Sequence, residues 1–167
     1  MAPVLPCLYC ESAAGDIPQA VVYEDPYVVA FLDWRQTAPG HVLVIPRKHL
    51  GADELVEGPE AEALLSAAVR LARAVRQAAG VDAVQMGAIL FPGEGEFGTS
   101  GRPLRPQHIG PSETAEDGHF HLHVLPRHHG RTVARIYPYG DEVGDAKELH
   151  ALAGRIREAM ASPRAVL

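Results

Sequence analysis

Gly118-His119-Phe120-His121-Leu122-His123-Val124-Leu125-Pro126-Arg127 sets histidine against an apolar residue three times in succession. Side chains on a strand repeat every two residues, so His119, His121 and His123 share one face. Phe120, Leu122 and Val124 share the other, which this pattern predicts to be the buried one, leaving the imidazoles on an open face. Three imidazoles in a row add nothing to a core. Neutral imidazoles bind metals, move protons and attack phosphorus. The chain has nine histidines and five of them fall within 119–129, which chance spacing explains poorly. The pattern therefore reads as chemistry on a strand.

Working outward, the segments before it favour strands first. Ala20–Glu24 alternates weakly and reads as a short strand, closed by a turn at Asp25-Pro26. Tyr27–Asp33 is rich in β-branched and aromatic residues and predicts a strand. After a turn at Thr37-Ala38-Pro39-Gly40, His41–Pro46 predicts another, paired antiparallel with the first. A short helix is expected over Ala52–Glu57. Glu60–Ala79 predicts a long helix, with Leu64, Ala68, Leu71 and Val75 at helical spacing and Gly80 as its stop. That helix reads as core packing. Val84–Phe91 predicts a strand. Residues 92–118 form a long Gly- and Pro-rich insert, with a short strand expected over Leu104–Ile109; such a length suits a functional or mobile loop. Thr132–Tyr137 reads as a strand and Asp145–Ala161 as a closing helix, with a frayed tail after it. Residues 1–19 carry Pro3, Pro6, Gly15 and Pro18 and read as an irregular lead-in. Strands do not alternate regularly with helices, so the class is α+β with an antiparallel sheet.

The 167 residues suit a single domain, 1–167, with a sizeable core. Hydrophobic residues make up 47% and charged residues 22%, and the net charge is −6. That balance argues against a nucleic-acid polymer as the main partner, but not against a small nucleotide. No apolar run approaches the ~18 residues of a membrane helix, and no basic leader opens the chain, so no membrane partner and a cytoplasmic location are expected. Cys7 and Cys10 are the two cysteines. Their spacing reads as metal or redox chemistry before a structural disulfide. There is neither a Gly-x-Gly-x-x-Gly after a strand nor a Walker-type loop, so dinucleotide and P-loop binding are unsupported.

His119-Phe-His121-Leu-His123-Val-Leu resembles the motif of the histidine-triad (HIT) superfamily. Cys7-Leu-Tyr-Cys10, Asp16-Ile-Pro18, Val22-Tyr-Glu-Asp25, Ala30-Phe-Leu-Asp33 and Ala38-Pro-Gly-His41-Val-Leu-Val-Ile-Pro46-Arg-Lys-His49 resemble the same family, in its Cys-x-x-Cys branch related to Hint- and Fhit-type nucleotide hydrolases and transferases. The resemblance covers roughly residues 7–50 and 118–127. It implies a HIT-like α+β fold with one long helix, a C-terminal helix and a homodimer that extends the sheet.

The activity it implies is hydrolysis or transfer at the α-phosphate of a nucleoside phosphate derivative, through a covalent nucleotidyl-histidine. By resemblance, His121 is the nucleophile, His123 contacts the phosphate and His41 completes the imidazole cluster. Asp33 accepts from the ribose hydroxyls, Tyr9 and Phe31 flank the base, and Trp34 narrows the pocket. Phe31 fits core packing equally well. Cys7, Cys10, His49 and His119 match the positions of a structural zinc site, with no cofactor for catalysis. The Gly-Gln that relatives carry before the triad is replaced by Thr114-Ala115-Glu116-Asp117-Gly118, and Asn-x-Gly is not evident near Gly87 to Pro92. Asp117 would repel a phosphate or hold His119 or His121 in one tautomer; Gln107 or His108 would be the substitutes for the missing polar groups.

A nucleotide-binding protein with weak or no catalysis is the alternative. A cupin-type metalloenzyme is the third reading, disfavoured because Val124–Tyr139 contains no Asp or Glu.

Overall fold

Among the described residues, five antiparallel strands form one sheet, in the spatial order Val21–Glu24, Val28–Leu32, Val42–Pro46, Leu122–Arg127, Ala83–Gly87. The structure is a computed structural model that describes residues 7–34, 36–88, 119–127 and 145–162. The strands expected over 104–109 and 132–137, the insert at 92–118 with Gln107, His108 and Asp117, and the tail beyond Ser162 lie outside the described residues. In chain order the elements are α1 (Leu8–Ala14), β1 (Val21–Glu24), β2 (Val28–Leu32), β3 (Val42–Pro46), α2 (Ala52–Leu55), α3 (Glu60–Ala79), β4 (Ala83–Gly87), β5 (Leu122–Arg127) and α4 (Ala146–Ala161). Among the described residues, no helix is long and apolar enough to cross a membrane.

β2 and β3 pair in register, with Phe31 opposite Leu43 and Val29 opposite Ile45. All ten of their residues are buried, five in each strand, so both faces of the sheet centre are covered. On one face Val28, Ala30, Leu32, Val42 and Val44 pack on the apolar stripes of α3 and α4, with Leu71 and Ile156 fully buried between them. Removing a side chain such as that of Leu71 costs about 2–5 kcal/mol. On the other face Val29, Phe31, Leu43 and Ile45 pack on Tyr9 of α1.

The helix at Leu8–Ala14 overturns the expectation of an irregular lead-in. Pro6 and Gly15 bracket it and do not interrupt it. Gly15 adopts φ 85°, a left-handed C-terminal stop that favours glycine. A seven-residue helix is marginal alone, and this one is held by tertiary contacts. Arg47, just past β3, donates from Nη1 to the Ala13 carbonyl (3.1 Å), from Nε to the Asp25 carbonyl (2.7 Å) and from Nη2 to Glu24 (2.8 Å). Its guanidinium thereby ties the C-terminal end of α1 to the β1–β2 turn.

Two further expectations shift. β5 begins at Leu122, not at 118, because the Phe120 N–H leaves the ladder and donates to the Leu50 carbonyl (2.7 Å). β4 runs Ala83–Gly87, starting one residue early and ending well before Phe91. α3 matches its expected limits, and Gly80 takes φ 64° at its end.

Candidate functional site

Strand register places the imidazoles. His123 pairs with Leu43, so it lies on the face that α1 covers. The alternation in 119–123 does put the three triad histidines on one side, but that side is not open. His123 and His119 are buried, and His121 is partly buried. α1 is what closes it, and the sequence reading lacked that helix.

A carbonyl oxygen accepts hydrogen bonds and never donates, so it fixes the tautomer of an imidazole beside it. His119 Nε2 is 2.9 Å from the Pro46 carbonyl, so Nε2 carries the proton and Nδ1 keeps its lone pair. Nδ1 lies 3.4 Å from both Cys7 Sγ and Cys10 Sγ. His49 Nδ1 lies 3.3 Å from Cys10 Sγ. The four ligand atoms of Cys7, Cys10, His49 and His119 fall within 4.8 Å of one another. Two thiols and two imidazoles, one with its bare nitrogen already turned inward by a second hydrogen bond, are a donor set that suits a tetrahedral metal ion such as zinc. Burial, with the Cys7 thiol next to it, pushes the Cys10 thiol up to about 11 in the metal-free chain. Burial also lowers His119 to about 4, so its ring is neutral and able to ligate.

His121 follows the same logic. Its Nδ1–H donates to the His119 carbonyl (3.2 Å), which leaves the lone pair on Nε2. That Nε2 is buried and has no hydrogen-bond partner among the described residues. Burial lowers the pKa of the ring, so it is neutral at neutral pH. The Tyr9 ring lies at 4.9 Å and 35° to it, and the His123 ring at 5.0 Å and 72°. A neutral imidazole whose lone pair is bare is chemically able to act as a nucleophile, a base or a ligand.

Behind it runs a buried relay. His123 Nδ1 is 2.9 Å from His41 Nε2, with the two rings stacked at 5.1 Å. His41 Nδ1 faces Asp33 Oδ2 at 3.4 Å. Asp33 is itself buried, at 3% exposure. Residues 33 and 41 are braced by Gln36, which sequence reasoning missed. Its Oε1 accepts from the Gly40 and His41 N–H groups (2.7 and 3.0 Å), and its Nε2 donates to the His41 carbonyl (3.0 Å) and the Asp33 carbonyl. One primary amide closes the loop by using donors and acceptor together. A glutamine midway between two expected site residues was the available signal.

Of the expected base contacts, Tyr9 and Phe31 are buried at 3% exposure in the cluster beneath the imidazoles. Trp34 is half exposed and lines a cavity with Leu32, Leu149 and His150, on the α4 side of the sheet edge. The structure thus brings together His41, His121, His123 and Asp33 in one cluster and the four metal-type ligands in another.

Comparison with known proteins bears on the family and the fold. The family model described as HIT domain matches residues 14–94. The "Protein hit" of Bacillus subtilis (strain 168) is 33% identical over 150 residues, covering 87% of this chain and 81% of that protein. The "Adenosine 5'-monophosphoramidase hnt1" of Schizosaccharomyces pombe is 44% identical over 43 residues, 26% of this chain and 32% of that one. Among solved structures, a "ZN-bound histidine triad family protein" from Mycobacterium smegmatis superposes with a TM-score of 0.62 at 26% identity, covering 94% of each chain. With the B. subtilis protein alike over most of both lengths, and the fold shared with a histidine-triad structure, this chain belongs to the HIT family.

Proposed function

We propose that the chain is a nucleotide hydrolase or nucleotidyl transferase that acts at the α-phosphate of a nucleoside phosphate derivative, of the dinucleoside polyphosphate or nucleoside phosphoramidate type, with His121 as nucleophile. The observation that carries this reading is the locked tautomer of His121: Nδ1–H is committed to the His119 carbonyl, and Nε2 is bare and unpartnered among the described residues. The lone pair of Nε2 attacks phosphorus, the bond to the leaving group breaks, and that group departs with its electron pair and takes up a proton. Water or another acceptor then attacks the phosphorus, forming a phosphorus–oxygen bond and giving up its proton to solvent; the phosphorus–nitrogen bond breaks with its electron pair returning to Nε2, which releases the nucleotide and restores the imidazole. Splitting one displacement into two lowers each barrier.

His123 and His41 supply charge balance. A phosphate oxygen favours the arrangement in which His123 Nε2 carries a proton, His123 Nδ1 accepts from His41 Nε2–H, and His41 Nδ1–H faces the Asp33 carboxylate. Asp33 therefore anchors the relay through Oδ2, and the family resemblance assigns the ribose hydroxyls to its carboxylate.

We assign Cys7, Cys10, His49 and His119 to a structural zinc, which would bind α1 to the segment that carries His121; the donor set fits it and the catalytic steps do not pass through it. Thiols kept as ligands suit a reducing cytoplasm. The partner assigned is a second copy of the chain, supported by the edge strand β4 with its exposed Met86; sedimentation at micromolar concentration tests it.

The test of the activity is intact-mass analysis after mixing with a nucleoside 5'-phosphoramidate and with dinucleoside polyphosphates. A nucleotidyl adduct mapped to His121 is the expected result. Nucleotide binding with neither adduct nor turnover on any substrate would reduce the protein to a binding module.

A further inference from the structure

Tyr9 occupies a position that core packing alone does not require. It lies in the first turn of α1, with Cys7 before it and Cys10 immediately after. Its ring is buried, edge-on to His119 at 5.6 Å and 65°, and tilted over His121 at 4.9 Å and 35°. One aromatic ring thus touches both a residue of the Cys/His cluster and the proposed nucleophile.

The two thiols anchor the N-terminal end of α1. Cys7 stands at the cap position and makes no side-chain cap hydrogen bond. The contacts that fix this turn are those of Cys7 and Cys10 with His119 and His49. At the opposite end Arg47 holds the Ala13 carbonyl. The two thiols on one side and Arg47 on the other thus help to seat the helix that carries Tyr9 against the sheet.

The ring of His121 has three restraints. Its Nδ1–H is held by the His119 carbonyl, one side meets His123, and its face meets Tyr9. A hydrogen bond at Nδ1 leaves the imidazole able to swing about that contact. The flat ring of Tyr9 stops the swing and so fixes the line along which Nε2 points. Nucleophilic displacement at phosphorus needs that line held closely, since errors near 1 Å lose about 100-fold in rate.

We propose that Tyr9 is a positioning residue: its ring transmits the seating of the Cys7–Cys10 turn to the imidazole of His121 and sets the direction of Nε2. The proposal rests on the reading of His121 as nucleophile for its effect on rate, but not for its effect on ring orientation.

The experiment uses the full chain as purified, with Tyr9→Leu, Tyr9→Phe and, as a core control on the opposite sheet face, Leu71→Ala. Single-turnover formation of the His121 adduct from a nucleoside 5'-phosphoramidate is followed by mass. The NOEs between the His121 and His123 rings are followed by NMR. Tyr9→Leu should slow adduct formation about 10- to 100-fold, and should change the NOEs between the His121 and His123 rings as the imidazole turns, with the signals of His150 left in place. Tyr9→Phe should keep both the rate and the NOEs. Leu71→Ala should lower Tm and keep both. A Tyr9→Leu protein with wild-type rate and wild-type NOEs between the His121 and His123 rings overturns the proposal. So does a loss of rate in Leu71→Ala as large as in Tyr9→Leu, or a Tyr9→Phe protein as slow as Tyr9→Leu. If the wild type forms no adduct, the nucleotidyl-transfer reading fails by itself, and the NMR comparison decides Tyr9: altered NOEs between the His121 and His123 rings in Tyr9→Leu support positioning, unchanged NOEs refute it.

Discussion

His41 Nε2 stands 2.9 Å from His123 Nδ1, with both side chains fully buried and one proton shared between the two nitrogens. Burial, with His121 and His41 close by, pushes the His123 pKa down to about 2, against 6.5 for a free imidazole. The folded chain keeps this ring neutral where the unfolded chain protonates it. The stability from that neutral ring is complete above pH 6.5 and drains away as pH falls toward the folded value. The slope reaches about 1.4 kcal/mol per pH unit for one such group. His123→Asn removes the titration, so its unfolding free energy should fall less steeply than that of the wild type over this range. Parallel denaturant titrations at a series of pH values check it.

His121→Ala should leave the fold intact and cut turnover by at least about 10³-fold, the scale of removing a nucleophile. Nucleotide binding measured by calorimetry should survive. Turnover at the wild-type rate would remove His121 from the chemistry.

Cys7→Ser should strip the metal from the four-ligand cluster. The purified wild type is expected to carry about one zinc per chain, and the variant close to none, by elemental analysis. Unfolding free energy should drop by about 3–4 kcal/mol, the linkage value for a ligand at 100 to 1,000 times its Kd. A wild-type chain that holds no metal after preparation without chelator, and gains no stability from added zinc, counts against the site.

Gln36→Ala tests the brace between residues 33 and 41. It leaves the Gly40 N–H without this acceptor and the His41 N–H with the Ala38 carbonyl (2.9 Å) alone. The expected loss is about 1–3 kcal/mol, with a fall in kcat because His41 is no longer held against His123. Gln36→Glu restores the acceptor but not the donor, and should recover part of both. Equal losses in the two variants would place the effect elsewhere.

Gly40→Ala probes the backbone beside His41. Gly40 adopts φ 100°, and an added Cβ would lie 3.3 Å from Pro126 Cγ of β5. Left-handed geometry and crowding act together, so a loss of about 1–3 kcal/mol in unfolding free energy is expected. An unchanged Tm would show that the turn relaxes freely.

The elements that sequence pattern read well are those whose own residues decide them. β2, β3 and α3 fall within a residue of expectation because β-branched runs and a 3.6-residue stripe are strong local signals. α1 was illegible for the opposite reason. Its seven residues are bounded by Pro6 and Gly15, which read as breakers, and its stability comes from Tyr9, the two thiols and Arg47, partners 30 or more residues away in the latter case. Missing α1 then made the histidine face look open. The four metal-type ligands and the His41–His123 pairing were legible through family resemblance. The tautomers were not, since they depend on the carbonyls of Pro46 and His119, and backbone carbonyls leave no trace in a residue string. Gln36 was overlooked because a glutamine in a turn is ordinarily solvated.

The central strands carry apolar residues on both sides, and this makes the sheet a partition. Substitutions in α3 and α4 meet it from one side, and the imidazoles lie on the other. Thermal tolerance can accordingly be raised or lowered by repacking the helices while the reaction is left alone. Under the proposed function, changes of substrate preference are to be sought on the imidazole side, in α1 and in the loop holding Gln36. Two properties that often trade against each other in small enzymes are here addressable by separate sets of codons.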